Sequence, residues 1–148
     1  MAYSSLPAVV DALVASLAAL PALAGVLVED GPDRGYQGGS PMLLIGSGAT
    51  QTQGHSATGD FAAEGFGSQR RDLFTLDCTV KASAPTPSLA RSAAFGVLDS
   101  VVSALPSLEV ASTLSIRATG SWSLAQEAPS FGSLAELTFP ITVDGYTD

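Results

Sequence analysis

His55 is the single histidine of the chain, and it sits in Gln53-Gly54-His55-Ser56 among small polar residues. A hydroxyl nucleophile needs a nearby base to take its proton and a third group to orient that base. Ser56, Ser40 and Asp60 are of the right type to complete a Ser-His-Asp arrangement around His55. Their spacing does not distinguish them from any other Ser and Asp in a polar loop, so no catalytic residue is assigned. A structural zinc site takes four His, Cys or carboxylate ligands, and one histidine with one cysteine falls short of that.

Other residues with chemical potential fare no better. Asp30, Asp33, Asp60 and Glu64 could be imagined around calcium, but they lack the alternating ligand spacing of an EF-hand loop and read as solvated acidic loops. Met42-Leu43-Leu44-Ile45-Gly46-Ser47-Gly48 ends an apolar run with Gly-x-Gly, but neither a further Gly-x-x-Gly nor a Gly-Lys-Ser/Thr follows to hold a nucleotide phosphate. Cys78 falls on the apolar side of a strand pattern and is expected to be inert core packing. Trp122 is expected in the core as well. Glu127, Glu136 and Asp144 fall on loops or on the wet side of strands. No catalytic, cofactor or metal site is assigned, and the chain is expected not to be an enzyme.

The elements that would position such residues are legible from periodicity. Leu6 to Leu20 reads as a helix, with Ser4 or Ser5 available to cap its free amides, Pro7 in its first turn and Pro21 closing it. Asp11 is its only ionisable residue, so the helix is apolar nearly all round; it is expected to be sandwiched in the core or packed against another subunit. Val26–Asp30 and Met42–Ile45 read as strands, the second covered on both faces. A Gly-rich stretch at about 47–67 is long for a structureless loop and is expected to be a functional extension or a hairpin arm. From Leu73 to Ser83, Phe74, Leu76, Cys78, Val80 and Ala82 alternate with Thr75, Asp77, Thr79 and Lys81, giving one buried and one wet face. A second helix spans Ser88 to Leu105, with Ala90, Ala94, Val97, Leu98 and Val101 on one side. Two closing strands follow, one alternating through Leu114, Ile116, Ala118, Trp122 and Leu124, the other through Leu137, Phe139, Ile141 and Val143. Pro140 cannot donate to a ladder, so its strand should lie at an edge or turn that position outward. The expected fold is α+β: an antiparallel or mixed sheet of about five strands with two helices packed on one face. Residues 1–148 are short enough to form one domain.

Composition narrows the function classes. Charged residues make up 14% of the chain, well below the roughly 25% of an ordinary soluble domain. Permanent subunit contacts would account for that, because interface centres are depleted of charge. The net charge is −8, and Arg70-Arg71 is the only pair of adjacent basic residues. No basic run exists to grip phosphates, so tight nucleic-acid binding is excluded, although DNA could slide past such a surface. The apolar run at 6–25 mimics a secretory leader, but no Lys or Arg precedes it and Asp11 interrupts it. It is expected to be a helix of the domain and is too short and broken for a membrane span. Cys78 alone allows no intramolecular disulfide.

The opening Leu6-Pro7-Ala8-Val9-Val10-Asp11-Ala12-Leu13 helix, the Val26-Leu27-Val28-Glu29-Asp30-Gly31-Pro32 strand and turn, the long strand Asp72 to Lys81, the second helix and the closing Ile141-Thr142-Val143-Asp144-Gly145 together resemble the tail terminator (tail completion) proteins of long-tailed phages, especially actinobacterial ones. The likeness is one of element order and apolar pattern over most of the chain, and the Gly-rich stretch has no close counterpart. It implies a structural virion protein in the tail or neck, assembled in the host cytoplasm: a homohexameric ring that caps the tail tube, ends tube polymerisation and joins the tail to the head connector. The implied partners are further copies of the chain, the tail tube protein and the head–tail connector or stopper protein. Genomic DNA would pass through the lumen without specific binding, and no membrane is involved. The wet sheet face with Thr75, Asp77 and Thr79 would look toward the lumen or a neighbouring ring. Another neck or tail protein (a head–tail stopper or tube subunit) and a secreted small-molecule binding domain are the alternatives.

Overall fold

The computed structural model describes residues 4–31, 35–46, 57–61, 70–110 and 113–147. In chain order these form helix α1 (Leu6–Ala18), strands β1 (Leu27–Asp30), β2 (Met42–Ile45), β3 (Ala57–Phe61) and β4 (Arg70–Ala84), helix α2 (Pro87–Ala104), and strands β5 (Thr113–Ala118), β6 (Ser123–Glu127) and β7 (Ser133–Thr147). Short 3-10 turns at Pro21–Leu23 and Leu105–Ser107 close the two helices.

The spine of the sheet is an antiparallel ladder between β4 and β7, paired from Arg70↔Thr147 to Ala84↔Ser133. Each of these 15-residue strands carries two short strands end to end on its other side. On β4, β3 covers Asp72 to Leu76 and β2 covers Cys78 to Lys81. On β7, β6 covers Leu134 to Thr138 and β5 covers Ile141 to Gly145. Both flanks are interrupted at one rung, Asp77↔Pro140. β1 adds to β2 in parallel, making the sheet mixed, seven-stranded, and ordered β1-β2-β4-β7-β5 across its width.

The α+β architecture read from the sequence is the one observed, with both helices on one face. Val9, Val10, Leu13 and Leu17 of α1 and Ala90, Ala94, Val97, Leu98 and Val101 of α2 join a single core with Phe74, Leu76, Cys78, Val80, Leu137, Phe139, Ile141 and Val143. Burying each such aliphatic or aromatic side chain is worth roughly 1.5–3 kcal/mol, so this layer dominates the stability of the fold. α2 starts where Thr86 Oγ1 accepts from the Leu89 amide at 3.3 Å, with Pro87 in the first turn. α2 together with its closing turn (Pro87–Ser107) is long and apolar enough to cross a membrane by length and composition; here it lies along β4 and β7 as a core helix.

One expectation needs correction, the single strand through Leu114 to Leu124; for Pro140, for α1 and for its cap the structure narrows the alternatives. Pro140 is not on an edge strand: β7 is central, and Pro140 instead turns its donorless side to the gap between β5 and β6, where its carbonyl accepts from the Thr119 amide at 3.3 Å. The strand expected through Leu114 to Leu124 is two strands, separated by a turn at Gly120, whose positive φ of 75° suits a residue without Cβ. A register shift between Thr113 and Ser115 also throws Leu114 outward, leaving it 66% exposed. α1 is not sandwiched in the core; Pro7, Ala8, Asp11, Ala15 and Ala18 are exposed. Its N-terminus is capped neither by Ser5 itself nor by Ser4 alone. Asp72, buried at the start of β4, accepts from Ser4 Oγ (2.7 Å), the Ser5 amide (2.7 Å) and Ser5 Oγ (3.0 Å), while Ser4 Oγ takes the Leu6 amide at 3.1 Å. A carboxylate there also complements the positive end of the helix dipole.

Candidate functional site

The residues nominated for catalysis are not brought together by the described structure. His55 and Ser56 lie outside the described residues, as do Asp33, Glu64 and Gly48. Ser40 is exposed in the segment before β2, Asp60 pairs with Leu73 through its backbone in β3, and Asp30 is exposed at the end of β1. Among the described residues, no three His, Cys, Asp or Glu side chains converge to hold a metal. Cys78 is fully buried, and burial pushes its thiol up to about 12, outweighing the contact with the Gly46 backbone. It is a small core hydrophobe, as expected. Trp122 is not in the core as expected: it sits in the β5–β6 turn, 57% exposed, its ring edge-on to Phe95 at 5.2 Å. Beside it a shallow groove of about 120 Å³ is lined by Val102, Gly120 and Pro140 among others.

What the fold builds with its polar residues is the outer face of the sheet. In β4 the odd-numbered residues point there, opposite even-numbered ones of β7. Arg71 grips Asp144 with a two-pronged fork, Nε to Oδ1 at 3.0 Å and Nη2 to Oδ2 at 2.6 Å. That bond, more than the nearby charges of Arg71 and Arg117, holds the Asp144 carboxyl below its usual range. The hydroxyls of Thr75, Thr142 and Thr119 join in a row, and those of Thr79 and Thr138 lie 3.4 Å apart. Lys81 Nζ meets Glu136 Oε1 at 2.9 Å.

This face is not uniformly wet, contrary to the expectation from alternation. Thr79 and Lys81 are each only 3% exposed, and Leu44 beside them is fully buried, whereas Leu73 at the other end is 36% exposed. The closed end is tied by Tyr36, whose hydroxyl lies 3.2 Å from Ser83 Oγ and whose ring meets Phe131 edge-on at 6.2 Å. Glu136 and Asp144, read from the sequence as unremarkable wet-side carboxylates, each have a basic partner. Asp72 was not singled out for a role at all. The signal for Asp72 was present in its even position, which puts a carboxylate among Phe74, Leu76 and Cys78 on the apolar side.

The remaining candidates are surfaces. α1 presents Ala8, Ala15 and Ala18 around Asp11, and the sheet ends in strands β1 and β5. Such an arrangement holds no poised nucleophile or proton relay among the described residues; it can make contacts.

No protein-family model matches the sequence, and no curated protein matches it. Among solved structures, a chain from the virion of a native gene transfer agent (GTA) particle superposes with a TM-score of 0.55 at 15% identity, covering 99% of this chain and 100% of that one. The likeness is one of fold, and it runs from end to end of both chains.

Proposed function

We propose that this chain is a non-enzymatic structural protein of a phage or phage-like virion, and that it acts as a tail terminator. In this reading it forms a homohexameric ring on the last ring of the tail tube, stops tube growth and offers its far side to the head–tail connector or stopper protein. The observation that carries the reading is the end-to-end fold likeness to a chain whose source is a GTA virion. The sparse charge of 14%, the exposed alanine face of α1 and the lack of a converged catalytic set among the described residues support an assembly role. A net charge of −8 suits a lumen through which DNA moves without sticking.

Light scattering over a wide concentration range and a tube-growth assay together test this. The expected result is a closed hexamer that, added to polymerising tail tube protein of the same particle, gives short capped tubes. Tubes that grow unchanged, with the chain absent from their ends, refute the terminator role. Incorporation along the whole tube would assign it instead as a tube subunit, and binding only to the connector as a head–tail stopper.

A further inference from the structure

Trp122 is the largest apolar side chain left in the open among the described residues, and Val102 across the groove from it is 41% exposed. Folded chains seldom leave an indole and its apolar surroundings to water unless a partner covers them, and Trp is enriched among the residues that dominate interfaces. The floor of the groove is set by Leu98 and Phe139, both buried, and the Trp122 ring is braced on Phe95 of α2. Arg91 lies one turn before Phe95 on the same side of α2, and its guanidinium donates to Gln126 Oε1 of β6 at 3.0 Å. Gln126 is neutral, so the charge of Arg91 has no acidic partner among the described residues. Asp99, one turn beyond Phe95, is exposed as well. The patch is therefore aromatic at its centre, cationic at one end and anionic at the other.

The other border of the helix layer carries a face of complementary make-up. α1 packs on β1, the border strand of the sheet, whereas Trp122 stands in the turn between β5 and β6, which flank β7 on the far side. The exposed side of α1 is Ala8, Ala15 and Ala18 around Asp11. Asp11 is the sole ionisable residue of that helix and has no hydrogen bond or ion pair among the described residues. Alanine methyls let a projecting ring seat close to the helix axis, the geometry by which a helix lies in an apolar groove. Copies set side by side in one orientation bring the α1 face of one against the Trp122 patch of the next.

We infer that the Trp122 patch of one copy receives helix α1 of a second copy, with Asp11 at the Arg91 end. The two charges select that end: Arg91 attracts the Asp11 carboxylate, and Asp99, two turns or about 12 Å further along α2, repels it. The contact joins two different surfaces, so it is heterologous and repeats from copy to copy until it closes. This inference rests on the self-assembly part of the proposed function.

The test is variant mixing read by light scattering. Trp122→Ala should raise the midpoint concentration of assembly at least about tenfold, because it removes the central anchor. Asp11→Arg and Arg91→Asp, each alone, bring like charges together and should raise it about fivefold. An equimolar mixture of these two charge variants should return to the wild-type midpoint, since opposite charges meet again at every contact when the two kinds of copy alternate. Circular dichroism spectra and unfolding midpoints equal to wild type separate the assembly effect from misfolding. A Trp122→Ala chain that assembles like wild type, or a mixture no better than its components, overturns the contact. A wild-type chain that stays monomeric at every concentration overturns it also; if such a monomer still caps tubes, the terminator reading stands and the contact falls. Variants that behave as expected, in a chain whose wild type leaves tubes uncapped, support the contact and refute the terminator.

Discussion

The two faces of the β4–β7 ladder are buried by different physics. On the helix side, Leu76, Cys78, Val80, Leu137, Ile141 and Val143 are all fully buried, and water is excluded by apolar area alone. On the outer side, Thr79 and Lys81 are nearly as inaccessible at 3% each, yet both are polar. There burial is tolerated because partners are supplied: Glu136 for Lys81, the Thr138 hydroxyl for Thr79. The inner face should therefore respond to lost volume and the outer face to lost partners, which makes the contrast testable residue by residue.

The largest effect is expected on the inner face. Leu76→Ala should cost about 2–5 kcal/mol of unfolding free energy in denaturant titration, because the packed layer cannot collapse around the cavity. The corresponding outer-face test is Glu136→Leu, which removes the carboxylate 2.9 Å from the buried Lys81 ammonium. A loss of about 2–3 kcal/mol is expected, with recovery of much of it in the Lys81→Met, Glu136→Leu double variant. A double variant as unstable as Glu136→Leu alone would show that the outer face, too, depends on shape.

Asp72→Ala sits between the two regimes, since it removes a polar partner from the apolar side. It should cost about 1–2 kcal/mol and lower hydrogen-exchange protection in the first turns of α1 more than in α2. Equal loss of protection in both helices would mean that Asp72 supports the core generally and has no local capping role. The smallest effect concerns Asp144. Its folded-state pKa is depressed, so its contribution to stability is complete above the ordinary carboxylate value of about 4 and disappears as pH falls through the depressed folded value. The stability gap between wild type and Asp144→Asn should accordingly be fully open at about pH 6 and narrow as pH falls below about 4. A gap independent of pH would rule out the Arg71 fork as its source.

Much of this contrast is legible in the sequence. Alternation through Phe74, Leu76, Cys78 and Val80 marks the inner face because pleating imposes a period of two, and the stripe Ala90, Ala94, Val97, Val101 marks α2 in the same way. What periodicity cannot carry is pairing across the sheet. Lys81 and Glu136 are opposite each other only once the β4–β7 register is known, and nothing local to either residue announces it. The same gap explains Pro140: a proline forbids one ladder bond, but whether it sits at an edge or beside a break in a flank depends on β5 and β6. Trp122 leaves the apolar face because the alternation through Leu114 to Leu124 breaks at Gly120, where the chain turns. For the assembly surface, β1 and β5 are readable as strands, but not as the two borders of the sheet.

The shared interruption at the Asp77↔Pro140 rung has a mechanical meaning. Above and below it the sheet is at least four strands wide, whereas among the described residues only β4 and β7 run through that level as strands. Ribbons of two strands adopt larger twists than broad sheets, so this rung is the compliant section of an otherwise stiff plate. A torque applied to the two ends, such as a neighbour of slightly different curvature would exert, is taken up as extra twist there. The ends keep their shape while the middle absorbs the misfit.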